Sequence, residues 1–144
     1  MSEHSEQAAF VQWCLYNKKN YPGIDTVHAT PNEGKRTKTS AGRLKAAGMR
    51  KGFPDISILS AQHGYGSLHL EFKFGKNTVK PEQRDWIIRL RRAGNRAEVV
   101  YSCEWAIHVT KLYYQGLLTP YEEADIITPW REAKGQRRFI AEAL

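Results

Sequence analysis

Residues 67–74 constrain the fold most, because Leu68, Leu70, Phe72 and Phe74 alternate there with Ser67, His69, Glu71 and Lys73. A strand has a side-chain period of two, so the apolar set predicts a core face while Glu71 and Lys73 share the opposite one. A second apolar run, Ile56-Ser57-Ile58-Leu59, opens directly after Gly52-Phe53-Pro54-Asp55, and the link from Ser60 to Gly66 carries Gly64 and Gly66. This is the pattern of a hairpin, and its pairing would bring Asp55 beside Glu71. Two carboxylates so placed repel unless a cation lies between them, and an all-oxygen site suits a hard divalent ion such as Mg²⁺ or Mn²⁺. Lys73, one step along the same face, would stabilise charge developing on a phosphate or hold an attacking water. The competing interpretation is the ordinary solvated face of an exposed strand.

The remaining elements follow from periodicity and stop signals. A helix is predicted over residues 3–19 with Phe10, Trp13 and Cys14 inward, then a strand over Ile24–Ala29. A short helix, Ala41–Ala47, capped by Ser40 and stopped at Gly48, precedes the two strands of the site. Pro81 fits the first turn of a helix reaching Ala93, with Trp86, Ile87 and Leu90 inward and Arg84, Arg89, Arg91 and Arg92 outward. Ala97–Tyr101 reads as a further strand and Glu104–Tyr114 as a closing helix with Trp105, His108, Val109 and Leu112 on one side. The order αβ(α)ββαβα implies an α/β fold, a mixed sheet with helices on both faces. One domain accounts for the 144 residues, with a core over 1–114 and an extension over 115–144 that would serve as core cover or dimer arm.

Charge narrows the partners. The net charge of +7 favours a polyanion, with nucleic acid preferred over membrane because no helix joins a broad apolar face to a Lys-rich one. Between Gly34 and Gly52 lie seven cations and no acid: Lys35, Arg36, Lys38, Arg43, Lys45, Arg50 and Lys51. Such a run leading into Pro54-Asp55 is expected to be a DNA-backbone track, although charge runs are more often plain solvated loops. Cys14 and Cys103 form no Cys-x-x-Cys pair, and the five histidines show no metal-binding spacing, so zinc and disulfide chemistry are not expected. Only His69 lies near the proposed site. The first residues lack a signal-peptide core and no apolar run is long enough to span a bilayer, which predicts a cytoplasmic protein.

Two more side chains aim at the site by helical counting. Gln83 lies on the stripe of Trp86, Ile87 and Leu90, where its amide would meet Lys73, a metal-bound water or, more blandly, the backbone of the helix start. Glu6 sits one turn before Phe10, within water-bridged reach of an ion, and Glu3 is a rival on that stripe.

With Glu6, Asn32, Gly48, Gly52-Phe53-Pro54-Asp55, Glu71-Phe72-Lys73 and Pro81-Glu82-Gln83 in this order, the chain resembles the virus-type replication-repair nucleases. This VRR-Nuc family belongs to the Pro-Asp…(Asp/Glu)-x-Lys superfamily. The resemblance spans roughly residues 3–110 and implies a restriction-endonuclease-like fold. It implies Asp55, Glu71 and the Phe72 backbone carbonyl as ligands of Mg²⁺ or Mn²⁺, Lys73 as catalytic lysine, and Gln83 and Glu6 as supporting catalytic residues. It further implies a DNA substrate. Small stand-alone members, often viral, resemble homodimeric endonucleases of four-way (Holliday) junctions. A less selective flap, fork or duplex nuclease, or an inactive DNA-binding accessory protein, are the alternatives. Two features depart from the family pattern: Lys80 stands where Ser or Thr often precedes Pro-Glu-Gln, and residues 115–144 lie outside the resemblance.

Overall fold

The computed structural model describes residues 2–31 and 37–127. Its elements are α1 (Glu3–Tyr16), a 3-10 turn (Ile24–Thr26), β1 (His28–Ala29), α2 (Lys38–Ala46), β2 (Ile56–Ile58), β3 (Leu68–Phe72), α3 (Pro81–Arg92), β4 (Arg96–Val100), α4 (Cys103–Gln115) and α5 (Glu123–Ile127). They build a mixed sheet in the order β1-β2-β3-β4. β1–β2 and β2–β3 are antiparallel, with Ile56 opposite Leu70 and Ile58 opposite Leu68. β3 and β4 run parallel, joined through α3, with Glu71 opposite Val99. The expected α/β fold, a mixed sheet between helices, is what forms.

Both faces of the sheet are covered. α1 and α4 bury Phe10, Cys14, Trp105 and Val109 against Leu68, Leu70 and Phe72. On the other face, Ile87 and Leu90 of α3 pack on Ala97 and Val99, with Phe53 and Trp86 at the margin. The polar row of β3 therefore lies in a second, narrower interior rather than in water. Glu71 is 2% exposed and Lys73 6%. That disposes of the solvated-face interpretation, because a charge is buried only when it is paired or put to use.

Several expected elements differ from the structure for identifiable reasons. The first strand shrinks to two residues because Gly23 turns the chain (φ +88°) and Thr26 Oγ1 donates to Gly23 O at 2.7 Å, closing a local turn where extension was expected. α2 starts three residues earlier, since Thr37 and not Ser40 caps it: Thr37 Oγ1 accepts from Ser40 N at 3.1 Å. Phe74, expected in the core, is 40% exposed because β4 ends at Val100 and leaves no sheet beneath it. His108 turns partly outward toward Glu104.

Arg91, expected outward, is buried. Its Nε and Nη2 donate to Ala97 O at 2.9 and 2.6 Å, and its Nη1 to Asp125 O at 2.7 Å. The cause is the segment after α4, which folds back along β4. There Tyr121 Oη accepts from Ala97 N at 3.1 Å and donates its one proton to Glu98 Oε1 at 2.5 Å. The guanidinium groups of Arg91 and Arg96 lie 4.1 and 3.9 Å from the Tyr121 ring centre. An edge strand exposes unpaired backbone groups, and Arg91 and Tyr121 together satisfy those of Ala97. Trp130, Phe139 and Ile140, on which the core-cover or dimer-arm expectation partly rested, lie outside the described residues, as do Asn32, Lys35 and Arg36.

Candidate metal and nucleic-acid site

The hairpin delivers the two acids as the pairing requires. Asp55 Oδ2 accepts from Phe72 N at 2.8 Å, and Glu71 Oε2 accepts from Asp55 N at 3.2 Å. Each carboxylate is thus oriented by the backbone that carries the other. The approach to Asp55 is fixed from outside by Thr30, whose Oγ1 donates to Pro54 O at 2.6 Å and whose N donates to Asp55 O at 2.8 Å. Gly52 is required just before it: φ is +92°, and an added Cβ would lie 2.8 Å from the Glu82 carbonyl. That close approach lets the first turn of α3 sit over the Pro54-Asp55 bend.

Lys73 Nζ donates to Gln83 Oε1 at 2.9 Å and lies 3.4 Å from Glu71 Oε1. Gln83 Oε1 also accepts from Lys80 N at 2.9 Å. Two of the three uses foreseen for this amide occur together: it closes the start of α3, where Lys80 offers no side-chain cap, and it fixes the lysine. Because Oε1 serves both donors, the NH₂ end is what Gln83 presents to the cleft it lines.

Burial, and secondly the charge of Asp55, push the Glu71 carboxyl up to about 9, with Lys73 opposing. Without a cation between the acids, Glu71 keeps its proton at neutral pH. A divalent ion would relieve that cost, so the donor set fits one. Among the described residues no group of three or more His, Cys, Asp or Glu side chains converges. Two carboxylates supplemented by a backbone carbonyl and waters match the sparse, hydrated ligation of Mg²⁺.

His69 has a different task. Ser67 Oγ donates to Asn95 Oδ1 at 2.7 Å, so it must accept from His69 Nε2, also at 2.7 Å; His69 Nδ1 is then bare and accepts from Ser57 Oγ at 2.7 Å. Burial lowers its pKa to about 4, with the charge of His28 adding to the effect. The ring is a neutral strut tying β2, β3 and the start of β4 together beneath the acids.

A cleft of about 540 Å³ opens over Asp55 and Gln83, and α1 contributes Glu3, His4 and Gln7 to its wall. Glu3 Oε1 accepts from Asn77 Nδ2 at 3.0 Å, anchoring the loop after β3. Glu6 is placed elsewhere: its Oε2 accepts from Cys103 N at 2.6 Å, capping the first turn of α4. Counting back from Cys14 and Phe10 in steps of four and three gives Gln7 and Glu3, the stripe that points to the cleft. Gln7 and Thr30 were not singled out by the sequence reasoning. Of the basic run, Arg50 and Lys51 line the cleft, Lys45 lines an adjoining groove, and Lys38 and Arg43 lie exposed on α2.

An α/β domain whose central hairpin brings two acids and a lysine together beside an open cleft has the architecture of a nuclease. The VRR-NUC domain family profile matches residues 1–104, and the chain belongs to that family. A solved structure described as a VRR_NUC domain protein is similar to it over 80% of this chain and 89% of that one, with 27% identity and a TM-score of 0.68. No curated protein matches the sequence. The family defines a nuclease domain and hence a DNA-binding protein. Among the described residues no helix is long and apolar enough to cross a membrane.

Proposed function

We propose that this chain is a Mg²⁺- or Mn²⁺-dependent, structure-specific DNA endonuclease that hydrolyses phosphodiester bonds, acting as a homodimer on four-way junctions. The observation that carries this reading is the convergence of Asp55, Glu71, Lys73 and Gln83 at one place, with Asp55 and Gln83 lining a cleft that also carries Arg50, Lys51 and Lys80. Asp55 and Glu71, with the Phe72 carbonyl, would hold the ion. When bound it supplies Lewis acidity toward a phosphate oxygen and eases deprotonation of water.

The chain's own groups do the rest. Lys73 directs its ammonium at the developing charge of the phosphate, held there by Gln83 and Glu71. The Gln83 NH₂ donates to a phosphate oxygen or to the attacking water. Arg50 and Lys51 neutralise the flanking phosphates. Glu3 is the α1 acid that faces the reacting region, and Glu6 acts through the position of α4. Two copies related by a two-fold axis would present two such centres to a junction that is itself nearly two-fold symmetric, permitting paired cuts.

The test compares four-way, flap and linear DNA at equal salt, in Mg²⁺ and in chelator. Wild type should cut the junction fastest and only with metal. Asp55→Ala and Lys73→Ala should each lose about 100-fold or more of that rate while binding the junction nearly normally in Ca²⁺. Cleavage by either variant near the wild-type rate contradicts the site. Equal rates on all three DNAs contradict junction selectivity, and a monomeric mass both free and on the junction contradicts the dimer.

A further inference from the structure

Beside the catalytic cleft, between α2 and α3, runs a second cavity of about 710 Å³. Its floor is apolar, formed by the half-buried Leu44, Met49 and Trp86, and its rim carries the exposed Ala41, Lys45, Arg50, Lys51 and Arg89. Met49, Arg50, Lys51 and Glu82 line both cavities, so the groove begins where the cleft over Asp55 ends. We propose that this groove takes the base of an unpaired nucleotide of the DNA strand adjoining the cut phosphate. This rests on the nuclease reading above and narrows its substrate to branched DNA with a base free of the stack.

Three observations favour a base over a phosphate or a protein segment. The floor offers carbon surface and the edge of an indole, which a phosphate would not use. Glu82 and Asp85 also face the groove and would repel a phosphate placed over the floor, whereas the cations along the rim suit the phosphates on either side of a base. The guanidinium of Arg50 lies 4.3 Å from the Trp86 ring centre, and the indole is held from behind, by Phe53 edge-on at 4.9 Å and by its Nε1 donating to Lys51 O at 3.1 Å. A base entering the groove would meet the Arg50 guanidinium carried on this fixed aromatic, a pairing of cation and π-surface that binds single-stranded bases without reading their sequence. The volume lies within the roughly 300–1,000 Å³ usual for small-ligand sites. A paired base could not enter, since its atoms are shut within the duplex.

Four-way junctions carrying one unpaired nucleotide at the centre, either adenine or abasic, test the proposal by fluorescence anisotropy in Ca²⁺. Wild type should bind the adenine form about tenfold more tightly, as expected from stacking. Because Trp86→Ala would also remove the packing on Phe53, the informative variant is Ala41→Trp, which fills the groove from an exposed helical position and removes no charge. In Ala41→Trp, with folding verified by thermal melting, the ratio should fall to near one. A wild-type ratio of one, a ratio unchanged in the variant, or no binding to either DNA overturns the proposal. Cleavage of the same DNAs in Mg²⁺ is read in parallel. A ratio of one with metal-dependent cleavage sinks the groove and leaves the nuclease; a ratio of ten without cleavage does the reverse.

Discussion

Metal binding at this site must displace a proton, and the displacement can be measured. In the absence of the ion Glu71 holds its proton up to about pH 9, against an ordinary value of 4.5, because it is buried beside Asp55. The sign follows from linkage. The folded state binds the proton more tightly than the unfolded chain does, so this group's contribution to stability is full below pH 4.5 and is lost as the pH rises toward 9. A divalent ion needs the ionised form, so each metal bound releases about one proton. Apparent Mg²⁺ affinity should therefore rise about tenfold per pH unit, or about 2.7 kcal/mol between pH 6 and pH 8, and flatten above about pH 9. Isothermal titration in buffers of different ionisation enthalpy reads both the affinity and the proton count. Glu71→Gln, which has no proton to release there, should bind weakly and with little pH dependence. An affinity unchanged in wild type from pH 6 to 8, with no proton released, would refute the reasoning.

Other expected outcomes test the supports of the site. Gly52→Ala forces φ +92° on an L side chain and drives its Cβ to 2.8 Å from the Glu82 carbonyl; thermal melting should show a loss of about 1–2 kcal/mol or more, accompanied by slower cleavage as Gln83 shifts. Gln83→Ala leaves Lys73 without its fixed acceptor, so cleavage should fall about 10–100-fold while DNA affinity changes little; a normal rate would remove Gln83 from the mechanism. If about four cations of the basic run touch phosphates, junction affinity should fall with salt at a log–log slope of about −3.6, whereas a slope near zero discredits the track. Tyr121→Phe deprives the Ala97 N–H and Glu98 of a partner, and denaturant unfolding should show a loss of about 1–3 kcal/mol.

The site's core was legible because the rules involved are local. Period-two alternation says which side chains of a strand share a face, and a glycine-bearing link says which strands pair, so Asp55, Glu71 and Lys73 could be brought together from the chain alone. Alternation does not say whether the second face is covered, which is why only the fold shows Glu71 and Lys73 buried. Glu3 and Glu6 are separated by less than one helical turn, and the choice between them is made by the Cys103 N–H, 97 residues away from Glu6. Arg91 belongs to an outward-looking run of arginines, yet a backbone carbonyl of β4 and the chain around Tyr121 draw it inward. The shortening of the first strand turns on a bond between Thr26 and Gly23 that competes with extension and leaves no trace in hydrophobic pattern.

The central claim is that Asp55 and Glu71 share one divalent ion with Lys73 beside it. Anomalous diffraction from crystals soaked in Mn²⁺ tests it directly. The expected result is a peak within bonding distance of Asp55 Oδ1 and a Glu71 carboxylate oxygen, with the Lys73 ammonium still on Gln83. No peak there, or one placed on other side chains, would contradict it.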